Sequence, residues 1–201
     1  MKRLVIVRHG RTHWNAEGRV QGQTDSPLDD VGIAQAARMA PVVAKYGPTV
    51  LWSSDLSRAA DTADAIAAVT GLTPRRDVRL REVDFGEREG ISHVEYKEQY
   101  PEEFQAIRRG RYDDIASAER SIAVMARMAE ALIELLAEIE DGGTGVAVSH
   151  GAAIKLGVGG LLGMSAPDAV DMLWGMDNCG WAIVTETSER RALDAYNRIA
   201  E

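Results

Sequence analysis

A single cysteine, Cys179, excludes an internal disulfide and any cysteine-built metal cluster, and its own expected role is that of a small buried hydrophobe. No apolar run approaches the ~20 residues of a membrane span. The N-terminus, MKRLVIVRHG, is charged too early and is too short to read as a secretory signal, so the expected location is cytoplasmic. No internal repeat or low-complexity tract interrupts the chain. Positive charge is also short: 23 Lys and Arg against 31 Asp and Glu leave a net charge of −8. Such a molecule as a whole attracts neither nucleic acid nor an acidic membrane, and an anionic ligand would need cations gathered locally.

What is present is globular in composition, and 201 residues suffice for one domain, 1–201, with a proper core. Leu4–Val7 is a continuous aliphatic run, the pattern of a strand covered on both faces. Thr49–Ser54, Gly145–His150, GWAIVTE and ALDAYN read as further strands. Asn15–Pro27 reads as loop. Asp29 or Asp30 caps a helix that Pro41 kinks and Gly47-Pro48 stops. Asp55 caps a second helix, with Leu56, Ala59, Ala60, Ala63 and Ile66 on one face, ended by Gly71. Val78–Gly86 reads as extended. Ile91–Asp114 is a polar, partly helical insertion carrying Tyr96, Tyr100, Phe104 and the cluster Arg108, Arg109 and Arg111, a solvated face unless it meets a second anion. Ala118–Ile139 is amphipathic, with Ile122, Met125, Met128, Leu132 and Leu136 in phase. A Gly-rich helix, Ala152–Leu162, completes the alternation. The fold class expected is α/β, a three-layer α/β/α sandwich with a mainly parallel central sheet.

Two of the strands end alike, LVIVRHG and GVAVSHG. In such sheets ligands bind at the carboxyl ends of strands, so His9 and His150 can meet in one crevice. Arg8 leaves a buried strand, which is costly unless its planar fork meets an anion. Gly10 would let backbone approach a ligand, with Thr12 and Asn15 as neutral donors nearby. The plainer alternative makes His9 a core histidine and pairs Arg8 with a carboxylate. A metal site is set aside. His9 and His13 have ligand spacing, but Gly10 stands where a zinc-protease motif carries Glu, and the segment starts at a strand end. His13 and His93 read as surface or loop residues.

RHGRTHWN, VQGQTDSPLDDVGIAQA, SSDLSRAADTA, LREVDFGEREG and VSHGAAIK together resemble, in order, the blocks of the histidine phosphatase superfamily. The match is to its phosphoglycerate-mutase-like branch with Gly after the second His. The tail, GMDNCGWAIV and ALDAYN, is similar to actinobacterial members that include glucosyl-3-phosphoglycerate phosphatases. Residues 91–118 align with nothing.

The resemblance implies a metal-independent phosphatase of small phosphorylated metabolites, without cofactor, acting through a phosphohistidine. His9 would be the nucleophile. Arg8, Arg58 and His150 would hold phosphoryl oxygens, assisted by Asn15, Gln21, Gly22, Thr12 and Gly151. Glu82 would protonate the leaving alcohol, because Gly151 fills the place where another branch carries an acidic donor; its alternative is to pair with Arg79 or Arg81.

Two departures, Arg88 where many relatives have Trp and SAERS at Ser117–Ser121, lie where relatives read the substrate beyond phosphate. A phosphoglycerate mutase is the nearest alternative function, although mutases are longer and tend to carry Asn where this chain has Ala152. A non-catalytic phosphate-binding regulatory protein is the alternative of another class. A homodimer is compatible with the resemblance, and no stretch marks an interface.

Overall fold

The N-terminal aliphatic run becomes β1 (Lys2–Arg8), and its alternate residues enter different cores. Leu4 and Ile6 join one apolar cluster, Val5 and Val7 a second. A strand apolar on both faces needs a layer on each side, and the computed structural model, which describes residues 1–200, supplies both. The other strands are β2 (Pro48–Ser53), β3 (Arg75–Arg76), β4 (Thr144–Ser149), β5 (Trp181–Glu186) and β6 (Arg191–Arg198). Their order across the sheet is β3-β2-β4-β1-β5-β6. The first four are mutually parallel, β5 runs antiparallel to β1, and β6 antiparallel to β5. The mainly parallel three-layer sandwich is therefore what the chain forms.

Helices α2 (Asp30–Ala44) and α3 (Ser57–Thr70) cover one face through Met39, Val43, Ala63 and Ile66. Helices α6 (Ser121–Glu138) and α7 (Gly151–Leu161) cover the other through Met128, Leu132, Ile154 and Val158. Asp29 caps α2, accepting from Gly32 N at 2.7 Å, and Pro41 lies inside that helix. Cys179 is buried.

Several local expectations need correction. The stretch read as loop from Asn15 contains a short helix, α1 (His13–Glu17), closed by a reciprocal Thr12–Asn15 capping box. Asp55 does not cap α3; it takes both ends of the Arg81 fork, and Asp25 accepts from Ser57 N instead. Val78–Gly86 is extended only in part: Arg81 is, but Val78–Leu80 and Gly86–Arg88 are 3-10 turns. Ile122 is 64% exposed because the buried stripe of α6 runs through Ser121, Val124, Met128, Leu132 and Leu135, and Ile122 falls off its edge. The insertion folds as α4 (His93–Gln99) and α5 (Pro101–Arg108), and α8 (Ala166–Met172) follows α7.

Candidate active site

The sheet register decides where the two imidazoles go. Arg8 of β1 pairs with Ser149 of β4 in parallel, so His9 and His150 leave the sheet side by side. His9 N donates to Ser149 O at 3.0 Å, and the ring centroids are 5.1 Å apart. After β1 the chain turns towards the α2 face and after β4 towards the α7 face, which opens a crevice between the strand ends. Both histidines are buried, and burial is the largest cause holding each well below the ordinary imidazole range. Arg58 and then Arg8 add to this for His9; Arg58, the other imidazole and Arg127 add to it for His150.

Neighbours fix the two tautomers in opposite senses. His9 Nδ1 lies 2.7 Å from Gly10 O, which can only accept, so the proton is on Nδ1 and Nε2 carries the lone pair. His150 Nδ1 lies 3.2 Å from Arg58 Nε, which can only donate, so the proton is on Nε2. That Nε2 is buried with no partner among the described residues. One imidazole offers a nucleophilic nitrogen and the other an unspent donor.

Arg58 owes its place to the first turn of α3. Besides His150, its Nη1 donates to Thr24 O at 2.9 Å and its Nη2 to Gly22 O at 2.6 Å. The Gln21–Thr24 loop is in turn gripped by Glu89. The Glu89 carboxylate accepts from Gln23 N and Thr24 N, both at 2.8 Å, and from Thr24 Oγ1 at 2.5 Å. Arg8 donates Nη1 to Met176 O and pairs with no carboxylate among the described residues, while its buried Nε has no partner. Burial lowers both guanidiniums from their ordinary value, with Glu82 the largest opposing charge.

Glu82 pairs with neither Arg79 nor Arg81, whose partners are Asp77, Glu134 and Asp55. Its Oε1 accepts from Val83 N at 2.9 Å and Ala153 N at 2.8 Å, and its Oε2 from Ala152 N at 3.2 Å. It thus serves the start of α7, where His150 makes no side-chain cap. Arg127 fixes the segment that carries it, donating to Arg79 O, Arg81 O and Glu82 O.

A cleft of about 260 Å³ gathers Arg8, His9, Asn15, Gln21, Gly22, Arg58 and Glu82. Three expected contributors are not in its wall: His150 is fully buried with its ring against that of His9, and Thr12 and Gly151 stand elsewhere. Thr12 is fully buried, and its hydroxyl bridges Asn15 N and Gln21 Oε1, so it shapes the wall without forming it. Gly151 opens α7 beside the Arg8 side chain and is not part of the wall. Gly10 is not in that wall either: a Cβ there would lie 2.6 Å from Gly32 O, so it is the point where β1 clears α2. Gly22 does need its lack of side chain, with φ +55 and the Glu89 carboxylate against it.

His13 and His93 are both exposed, as expected, and His93 also borders the cleft. It stands on the outer cleft wall, lowered by burial and then by Arg108. Trp14, Arg19, Phe85, Ile107 and Tyr112 complete that wall. Trp14 and Phe85 lie inside recognised blocks and Arg19 beside one, whereas Ile107 and Tyr112 lie in the stretch that aligns with nothing and carried no such signal. The arginine cluster divides: Arg111 pairs with Asp114, Arg109 faces hollows outside the cleft, and Arg108 alone approaches His93. Arg88 binds Glu103 at 2.7 Å and lies over the Tyr100 ring, tying the insertion to the Gly86–Arg88 turn. Among the described residues no group of three or more His, Cys, Asp or Glu could hold a metal ion, and no helix is long and apolar enough to cross a membrane.

Residues 4–199 match the model of the histidine phosphatase superfamily (branch 1). The chain belongs to this family. The glucosyl-3-phosphoglycerate phosphatase of Mycobacterium tuberculosis is 36% identical over a 215-residue alignment that covers 100% of this chain and 96% of that protein. A probable phosphoglycerate mutase of Yersinia pestis is 38% identical over 168 residues, covering 83% of this chain and 77% of that one. Among solved structures, native mycobacterial glucosyl-3-phosphoglycerate phosphatase superposes with a TM-score of 0.90 at 32% identity over 100% of both chains. Its complex with VO3 gives 0.89 at 35% identity, over 98% of this chain and 99% of that one.

Proposed function

We propose that this phosphomonoesterase hydrolyses small phosphorylated metabolites through a phosphohistidine on His9. The observation that carries the proposal is the pair of opposed tautomers inside a buried ring of guanidiniums. His9 Nε2 attacks phosphorus and forms a P–N bond as the P–O bond to the alcohol breaks. Arg8, Arg58, Asn15 and the His150 Nε2–H donate to the phosphoryl oxygens, so charge stabilisation and positioning supply most of the catalysis. Glu82 hands a proton to the leaving alcohol. Its Oε1 has both acceptor positions engaged whereas Oε2 accepts one bond, which assigns the proton to Oε2. Water then attacks phosphorus, gives a proton back to Glu82, and releases phosphate and free His9.

The substrate with the best support is glucosyl-3-phosphoglycerate, since relatives bearing that name span the whole chain. The wall from Trp14 to Tyr112 would hold the part beyond phosphate, and the cytoplasm is the compartment we assign. A mutase would use the same first step and return the phosphoryl group to a bound alcohol. The test is phosphate release from sugar phosphates, 3-phosphoglycerate and glucosyl-3-phosphoglycerate, with a chelator present, by wild type and His9→Ala in parallel. Release by wild type alone is expected. Conversion of 3-phosphoglycerate to 2-phosphoglycerate without phosphate release would establish the mutase instead.

A further inference from the structure

The strap between α8 and β5 takes no part in the chemistry above, yet three of its residues reach the groups that receive the phosphate. Met176 O accepts from Arg8 Nη1. Cys179 N donates to Arg8 O at 3.1 Å and His9 O at 3.2 Å, from a left-handed turn at φ +57. Asn178 Nδ2 lies 3.1 Å from His9 O and 3.3 Å from Asn15 Oδ1. Asp177 moors the strap to β6 by exchanging two bonds with Asn197, at 2.8 Å and 3.0 Å.

We propose that Asn178 is a positioning residue that sets the phosphate-binding face through Asn15 and His9. The inference rests on the phosphatase reading of the cleft. Asn178 is not in the wall of that cleft; it lines a separate hollow behind it with Asp177 and Cys179. Its own orientation is forced, because both its neighbours are oxygens that only accept, so its amide nitrogen must face them.

The consequence falls on Asn15, which can present either an oxygen or an NH₂ group to an anion. Two donors, Thr12 N at 3.2 Å and Asn178 Nδ2, hold the Asn15 oxygen away from the cleft and leave its NH₂ for the ligand. Without Asn178 a single backbone N–H is left to oppose the turn of that amide, and an oxygen facing phosphate repels it. The same nitrogen, with Cys179 N, holds the carbonyl of His9 and so the backbone from which the nucleophile projects.

The experiment uses full-length wild type, Asn178→Ala, Asn178→Asp, Asn15→Ala and the Asn178→Ala/Asn15→Ala double variant. Inorganic phosphate affinity is measured by calorimetry, kcat and KM with p-nitrophenyl phosphate, and unfolding by heat. Asn178→Ala should weaken phosphate binding about tenfold, the worth of one hydrogen bond to an anion, and raise KM more than it lowers kcat. It should add little in the Asn15→Ala background, and Asn178→Asp, which sets a carboxylate against two oxygens, should lose more. Multiplicative losses in the double variant would overturn the proposal. So would phosphate affinity within twofold of wild type, or a loss that only follows the melting temperature. Wild type that binds phosphate without turnover would refute the phosphatase reading alone, since the affinity comparison still decides the role of Asn178. Wild type that does not bind phosphate refutes both.

Discussion

Two identical side chains are given opposite parts by what meets each Nδ1: a carbonyl at His9, a guanidinium at His150. His9→Ala should therefore lower kcat by on the order of 10³-fold or more, while the fold stays intact and no phosphorylated protein is trapped by rapid quench. Turnover near wild type would exclude the phosphohistidine. Glu82→Gln should cost roughly 10²- to 10⁴-fold with alkyl phosphates and much less with p-nitrophenyl phosphate, whose leaving group needs no proton. An equal loss on both would make Glu82 the cap of α7 and nothing more. Arg8 and His9 were legible in sequence because one strand end carries both. The use made of Glu82 was not, because its partners at Ala152 and Ala153 lie far along the chain. Asn178 and Glu89 escaped for the same reason: each acts through contacts with distant backbone.

Elements announced themselves when they were long. The stripes of α2, α3 and α6 and the runs of β1 and β4 could be read from period and β-branching, whereas α1 and β3 hold too few residues to show a period. Capping was legible where it is local, as at Asp29, and illegible where the cap comes from elsewhere, as Asp25 does for α3. The meeting of β1 with α2 makes a test at this scale. Gly10→Ala puts a methyl group 2.6 Å from a backbone oxygen in the first turn of α2, which cannot yield without moving the helix. A loss of ~1–3 kcal/mol in unfolding free energy is expected, read as a lower urea midpoint. An unchanged midpoint would show that α2 shifts freely.

At the scale of the molecule, the two buried imidazoles couple stability to pH. Folded, both are held well below 6.5, by burial first and Arg58 next; unfolded, each returns to about 6.5. Below about pH 6.5 the unfolded chain takes up protons that the folded one refuses. Stability should then fall with pH, at up to ~1.4 kcal/mol per pH unit for each histidine, and level off above pH 7. Asp55 and Asp77, held low by their arginines, lose their share only under about pH 4, so the two windows separate. Urea midpoints at pH 7.5, 6.5 and 5.5 check this, and a flat series would refute it.

The strand order carries a last consequence. β4 is made long after β1 and β2, yet it lies between them. A nascent chain that stops short of it holds His9, Arg8 and Arg58 but no second imidazole, and leaves bare the strand edges that β4 would have paired. Competence therefore arrives only once β4 and His150 have been made, with no partly active fragment before them.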